Sequence, residues 1–540
     1  MNALTPLPVL LPLVAAGVTL VLGRFPRAQA AVSMTTLSAV LGISLALLAG
    51  THFSGPHATA VGGWTAPFGI VLMVDRLSAL MLVVSTIVTL SVLIYAVGQG
   101  NDSGDNDTPV SIFHPTYLIM TAGVSDAFIA GDLFNMYVGF EILLSASYVL
   151  LTLGGTESRV RAGVTYVVVS LVSSMIFLIA IGFVYGATGT VNIAQLALRL
   201  GALPTDVQML LHVGLLVAFA IKAAVFPLSF WLPDSYPTAP APVTAVFAGL
   251  LTKVGIYAII RTETVMFPGA TLSVPLMWLA GLTMLVGILG AIAQTDIKRL
   301  LSFTLVSHIG YMLFGVALGT RAGLAAAIYY VVHHITVQTT LFLVAGLIER
   351  RGGSTSLRRL GGLAKVSPIL GVLFFIPAMN LAGIPPFSGF LGKLGLFRAG
   401  VADGSWLAYA LIGAGVATSL LTLYAIGRVW NYAFWRDPVD AEEPDTRLVE
   451  DYRAASGAAS SAGRHGDAAV DTDAGRRVET TVDTETRAVP HVMTGVTAAM
   501  VGVSVLLTVC AGPLYSISEA AATGVHAQSY VHTVLGGDGQ

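Results

Sequence analysis

Apolar residues run in long blocks along most of the chain, separated by short clusters of glycine, proline, arginine and acidic residues. A membrane-crossing helix needs about 20 mostly apolar residues. Fourteen blocks approach that length, near 4–22, 30–49, 71–97, 113–130, 132–152, 162–186, 207–230, 239–260, 271–293, 299–318, 322–348, 366–398, 406–434 and 490–512. They predict an all-α polytopic membrane protein. Residues 436–489 break the pattern, with thirteen acids, seven arginines and runs such as Ala454 to Ala462. So little apolar surface cannot offset the entropy of ordering, and a disordered loop is expected there.

Two blocks are unlike plain helices. The seventh reads Ile221-Lys222-Ala223-Ala224-Val225-Phe226-Pro227, the twelfth Ala382-Gly383-Ile384-Pro385-Pro386-Phe387-Ser388-Gly389. Proline inside a helix removes a hydrogen bond and clashes with the preceding turn. Backbone freed at membrane depth must face protein or water. Broken helices at matching positions mark inverted-repeat transporter cores. These lie five spans apart, each with a lysine nearby, and predict two inverted five-helix repeats, spans 4–8 and 9–13. The expected organisation is N-terminal spans over 1–112, a first repeat over 113–260 and a second over 261–435. The polar loop 436–489 and then a last span with a C-terminal tail over 490–540 complete it.

Loop charges set orientation. The odd-numbered loops carry Arg24, Arg27, Arg159, Arg161, Lys298, Arg299, Arg350, Arg351, Arg358, Arg359 and Lys365; the even-numbered ones carry only Arg199, Arg261 and Arg321. Odd loops, with 436–489, are therefore expected in the cytoplasm of a bacterial plasma-membrane protein, and both termini outside. The acidic third loop, Asn101 to Asp107, does not help this vote. Ala28-Gln29-Ala30 has the form of a signal-peptide cleavage site, but no basic residue precedes the apolar run from Leu4, so the first span is expected to be retained.

The chain of 540 residues is 55% hydrophobic and 10% charged, against about 25% charged in soluble domains. A net charge of −2 excludes the basic footprint of a nucleic-acid binder. A single cysteine, Cys510, excludes an internal disulfide, a Cys-ligated iron–sulfur cluster and a Cys-rich zinc site. No nucleotide-binding glycine motif occurs, and no cofactor is expected.

Charge inside the apolar blocks is therefore informative. Three of the five lysines, Lys222, Lys253 and Lys393, lie there, with Glu141, His333 and His334. A charge at mid-membrane costs roughly 2.5 to 3.5 kcal/mol on insertion scales. Burial favours the neutral form of an amine and a nearby carboxylate the charged form, so Glu141 beside Lys222 would make a switchable proton site. Histidine titrates near neutrality and passes protons; neighbours on a helix point about 100° apart, so one of His333 and His334 should face the polar axis. His308, Asp126 and Asp132 are weaker candidates, the two aspartates flanking a helix junction where caps are usual. No second ligand stands at metal-binding spacing from the histidine pair. Trp231, Trp406, Trp430 and Trp435 sit near span ends, as an interfacial belt would. Together the titratable groups form a series able to hand protons along the membrane plane; an ion-pair lattice that merely holds the bundle together is the competing account.

Four stretches are similar to one known family. They are Asp132-Leu133-Phe134-Asn135-Met136-Tyr137-Val138-Gly139-Phe140-Glu141, Lys222-Ala223-Ala224-Val225-Phe226-Pro227-Leu228-Ser229-Phe230-Trp231-Leu232-Pro233, Asp296-Ile297-Lys298-Arg299-Leu300-Leu301-Ser302 and Gly383-Ile384-Pro385-Pro386-Phe387-Ser388-Gly389-Phe390. Over residues 70–435 the chain resembles the antiporter-like proton-translocating subunits shared by respiratory complex I, membrane hydrogenases and Mrp-type cation/proton antiporters. Ser145-Ala146-Ser147-Tyr148, Tyr329 to Ile335 and a lysine at Lys393 make it most similar to the D-type branch of the Mrp antiporter subunits. The end of the chain about 28 residues past the last span fits that branch, without the long lateral helix of the largest relatives. The resemblance implies fourteen helices in two inverted repeats and a multi-subunit complex exchanging Na⁺ for H⁺. It further implies that Glu141 tunes Lys222, that Lys253 and a histidine bridge the centre, and that Lys393 faces the far half-channel. Gln338 stands where the resemblance implies a lysine. A redox-linked pump subunit and a non-conducting scaffold are the alternatives; an autonomous enzyme is disfavoured, since no nucleophile or cofactor motif is present.

Overall fold

The computed structural model describes residues 2–102, 110–269, 271–461 and 489–536. Its helices are α1 (Leu7–Val21), α2 (Pro26–Ser54), α3 (Arg76–Asp102), α4 (Val110–Ile129), α5 (Leu133–Thr152), α6 (Glu157–Thr188), α7 (Ile193–Arg199), α8 (Thr205–Ala223), α9 (Trp231–Ser235), α10 (Ala241–Val246) and α11 (Thr252–Arg261). They continue with α12 (Ser273–Ile292), α13 (Ile297–Ala317), α14 (Arg321–Gly352), α15 (Leu363–Val366), α16 (Pro368–Ala382), α17 (Ser388–Asp403), α18 (Trp406–Val429), α19 (Thr446–Ser461), α20 (His491–Val509), α21 (Ala511–Gly524) and α22 (Ala527–Leu535). Eleven helical stretches are long and apolar enough to cross a membrane. The other three predicted spans coincide with the shorter α1, with α4, and with the pair α16–α17. The apolar stretches of α10–α11 and α14 are wholly buried, and that of α13 nearly so, whereas less than half of those of α2, α6, α18 and α20 is buried. The centre of the bundle is thus built from the helices that carry Lys253, His308, His333 and His334.

Both predicted breaks are present. α8 stops at Ala223 because Ala224 takes the left-handed conformation at φ 57°. α16 stops at Ala382, where Gly383 does the same at φ 84°. A third irregularity had no signal in the sequence: a π-helical turn, Phe247–Leu251, joins α10 to α11. Isolated π turns inside α-helices cluster at functional sites.

Paired features accompany the breaks. Asp132 caps α5 through Asn135 N (2.6 Å) and sits in an antiparallel bridge with Asn192; Asp296 caps α13 through Arg299 N (3.0 Å) and bridges Ser356. The two bridges span the same sequence separation.

The connections sort into two faces. At one, α22 packs on α7, on the π-helical turn Thr262–Met266, and on β1 (His57–Ala60), which pairs antiparallel with β2 (Val71–Val74). Leu72 bridges Ala130 at the same face. At the other, α19 packs on α15, Arg299 pairs with Asp234 at 2.7 Å, and Arg159 Nε donates to Thr238 O at 3.3 Å. The first set joins even-numbered connections and the second odd-numbered ones, as successive membrane crossings demand.

Several expectations need correction. The third span begins at Arg76, because Val71–Val74 is the strand β2. The polar segment is folded from Arg436 to Ser461. Arg436 donates to Leu360 O at 2.6 Å, Arg351 pairs with Asp451 at 2.8 Å, Lys365 donates to Tyr452 at 2.7 Å, and Leu448 is buried. One apolar side chain and several charge-assisted contacts order a stretch whose average composition looked too polar. Residues 462–488 lie outside the described residues, as do 103–109 of the acidic loop. The tail after residue 512 is not loose: α21 packs on α14 and α3, and Tyr530 of α22 is fully buried. Arg261, counted above as a loop charge, is a buried helix residue, and Trp231 is buried at the seventh-span break rather than facing the interface.

Candidate functional site

In the first half, α5, α6 and α8 bring Glu141, Ser174 and Lys222 together. Lys222 occupies the last turn of α8, where free carbonyl groups favour a cation. Its amine donates to Ser174 Oγ at 3.1 Å and lies 5.0 Å from the centre of the Phe140 ring. Ser174 in turn donates to Glu141 Oε1. A cavity of about 20 Å³ adjoins the amine, lined by Phe140, Tyr166, Ser170, Ser173 and Trp231, enough for about one water molecule. The break is stitched by Trp231 Nε1 to Ile221 O (3.2 Å) and Phe226 N to Thr283 Oγ1 (3.1 Å).

Lys253 lies at the centre, fully buried two residues past the end of the π-helical segment. Its amine donates to Ala248 O at 2.5 Å, and no carboxylate pairs with it among the described residues. The glycine at 255 lets α11 reach the break: a Cβ there would fall 2.7 Å from Ala223 N. The two lysine-bearing helices therefore touch backbone to backbone beside Lys222. On the far side of Lys253 stand His334 and His308, ring centres 5.1 Å apart, and the charges of Lys253 and Lys393 both act on each of them.

The second half continues the series. His308 Nδ1 meets Tyr330 OH at 2.9 Å, and Tyr330 stacks toward His333 at 5.3 Å. His333 Nδ1 bonds Ser388 Oγ at 3.0 Å, which also reaches Asn380 Oδ1 at 3.2 Å across the twelfth-helix break. Ser388 N further donates to Thr508 Oγ1 of α20 at 3.0 Å. Gly389 makes room for this junction, since a Cβ there would fall 3.0 Å from His333 Nε2. Lys393 donates to Leu381 O (3.2 Å) and Ala382 O (3.0 Å), the carbonyls left free where α16 ends, and stands 5.0 Å over the Tyr311 ring. All three lysines thus stand beside a helix interruption, and the amines of Lys253 and Lys393 bond carbonyls there.

Both ring nitrogens of His334, Nε2 of His308 and of His333, and Oε1 of Gln338 are buried without a hydrogen-bond partner. Buried polar atoms of this kind are served by internal water in folded proteins, and they lie together between Lys253 and Lys393. Gln338 spends its amide on Leu301 O at 2.8 Å. The structure brings Glu141 to Lys222, and Lys253, His308, His333, His334 and Lys393 to one centre. It sets Asp126 and Asp132 apart from them, joined through Asn135, with Asp132 as a helix cap and Asp126 accepting from Asn135 Nδ2 at 3.1 Å.

Sequence reasoning missed Ser174, Ser388, Asn380, Tyr311 and Tyr330, whose types are ordinary inside membrane helices. It also missed two buried pairs. Arg261 makes a bidentate contact with Asp75 (2.6 and 2.8 Å), with Tyr257 and Ser78 completing its donors and Tyr530 beneath it. His212 lies 2.6 Å from Glu263 and stacks on Phe267. An acid opening one span and a base closing another would have been the signal for the first.

The family model described as NADH:quinone oxidoreductase/Mrp antiporter, TM, matches residues 130–422. That described as NADH-Ubiquinone oxidoreductase (complex I), chain 5 N-terminus, matches residues 60–98. The chain is 41% identical to the D-type subunit of the Na(+)/H(+) antiporter of Alkalihalophilus pseudofirmus, over 82% of this chain and 89% of that one. It is 38% identical to the protein of the same name from Bacillus subtilis, over 83% and 90%. A chain of the Mrp complex from Dietzia sp. DQ12-45-1b superposes with a TM-score of 0.85 at 34% identity, covering 99% of this chain and 100% of that one. A chain of respiratory complex I from Thermus thermophilus follows at 0.72 and 25% identity, covering 96% and 99%. The chain belongs to the NADH:quinone oxidoreductase/Mrp antiporter membrane family, and within it to the group of D-type Na⁺/H⁺ antiporter subunits.

Proposed function

We propose that this chain is the proton-conducting subunit of a multi-subunit Mrp-type complex that exchanges Na⁺ for H⁺. One observation carries the proposal: a row of buried amines and imidazoles, Lys222, Lys253, His334, His308, His333 and Lys393, contains, among the described residues, a single carboxylate, Glu141, at one end. Such a row is costly as a scaffold and useful as a wire. Protonation arriving at the Glu141–Lys222 end changes how firmly Lys222 holds its proton. The change passes across the α8–α11 contact to Lys253, through the imidazoles, and on to Lys393. The assembly partners are other subunits of the complex. The odd-numbered connections and α19 face the cytoplasm, with both termini outside; the two inverted repeats, over 113–260 and 261–435, supply the two half-channels.

Lys222→Ala and Glu141→Ala in the assembled complex should abolish Na⁺-dependent proton flux in everted vesicles. Normal flux with the complex intact would make the chain a scaffold. Flux that requires an electron donor rather than a Na⁺ gradient would make it a redox-pump subunit.

A further inference from the structure

Glu141 and Lys222 meet through Ser174. No direct ion pair joins them among the described residues, and the hydroxyl touches both. A serine hydroxyl offers one donor and two acceptor positions. Here the donor is directed at the carboxylate and a lone pair at the amine, the polarity required when Glu141 is ionised and Lys222 protonated. Ser174 is 3% exposed, on the buried face of α6 that also carries Tyr166, Ser170 and Ser173. The neighbouring alcohol cannot replace it: Ser173 donates to Ala218 O at 3.1 Å. A packing role alone would be filled as well by alanine.

Resting on the function proposed above, we infer that Ser174 is the proton bridge between Lys222 and Glu141. The bridge works in both directions, the entry proposed above running from Glu141 to Lys222; from the arrangement observed, an Nζ–H bond of the ammonium breaks as Oγ takes that proton, and the Oγ–H bond breaks as Glu141 Oε1 takes the other. The products are a neutral amine, an intact hydroxyl and a carboxylic acid, with no redox change and no further reactant. The hydroxyl then donates to the lone pair of the neutral amine and accepts from the carboxylic acid, which exchanges its proton elsewhere by turning away from Oγ.

The test is Ser174→Ala and Ser174→Thr in the full complex, beside Lys222→Ala, with Na⁺-dependent proton flux in everted vesicles followed across a pH series and assembly checked on native gels. Ser174→Ala should slow flux roughly 10- to 100-fold and alter its pH profile, while Ser174→Thr, which keeps the hydroxyl, stays within about threefold of the parent. Parental rate and profile in Ser174→Ala, with Lys222→Ala inactive, overturn the bridge alone. Equal loss in both serine variants of an assembled complex also overturns it, because the size of the side chain and not its hydroxyl then matters. Parental flux in Lys222→Ala overturns the function proposed above and the bridge with it.

Discussion

Two kinds of buried charge occur in this bundle, and they predict opposite responses to mutation. Among the described residues, Lys253 has only a backbone carbonyl for a hydrogen-bond partner. Its ammonium form destabilises the fold, by an amount of the order of 2.5 to 3.5 kcal/mol on insertion scales. Lys253→Leu should therefore leave the thermal unfolding midpoint of the purified complex unchanged or higher while Na⁺-dependent flux is lost. A lower midpoint would make Lys253 a structural residue. Arg261 is the reverse case, with its donors shared among Asp75, Tyr257 and Ser78. Asp75→Asn leaves that guanidinium unpaired, and breaking one partner of a buried pair costs about 3 to 5 kcal/mol. The same melting experiment should show a clear fall. The lysines were legible in the sequence because an amine inside an apolar run has no bland explanation. Ser174 was not, since serine is common in membrane helices and only the fold brings it between an acid and a base. Arg261 hid as a loop charge because it stands at the end of a span.

At the scale of the helix, the interruptions explain where the amines are. A continuous helix uses its own carbonyl groups; an ended or widened one frees them. Lys393 takes two such carbonyls at the end of α16, Lys253 takes one at the π-helical turn, and Lys222 lies on the last turn of α8. The proline breaks could be read from sequence because Pro227 and Pro385-Pro386 cannot continue a helix. The π-helical turn could not, since Phe247-Ala248-Gly249-Leu250-Leu251 is an ordinary helical run. Ala224 gives a direct measure of the first break. It holds φ 57°, which costs an L-residue roughly 1 kcal/mol and glycine nearly nothing. Ala224→Gly should raise the unfolding midpoint of the complex slightly with flux retained, whereas Gly255→Val, forced against the Ala223 backbone, should lower it and reduce flux. A stabilising Gly255→Val would show that α11 and α8 do not need that close approach.

Across the whole molecule, hydropathy marked the spans, but neither it nor the loop charges revealed what closes the two faces. Averaging over residues 436–489 hid α19, which is held by Asp451, Tyr452 and Leu448 rather than by any apolar run. Counting a tail from residue 513 hid α22, whose Tyr530 covers Arg261. These peripheral helices mark opposite faces: α19 lies with the connections rich in arginine, α22 with those poor in it. In the orientation proposed above, α19 faces the cytoplasm and α22 the exterior. Single cysteines decide the matter, in a Cys510→Ser background that removes the native thiol. Ala454 and Gln528 are both exposed, on α19 and α22 respectively. A membrane-impermeant maleimide should label Ala454→Cys in everted vesicles and not in intact cells, and Gln528→Cys in intact cells and not in sealed everted vesicles. The converse pattern would invert the orientation and exchange the roles of the two half-channels. Labelling of both from one side would break the two-face arrangement, and with it the parity of crossings on which the repeat of spans 4–8 by spans 9–13 depends.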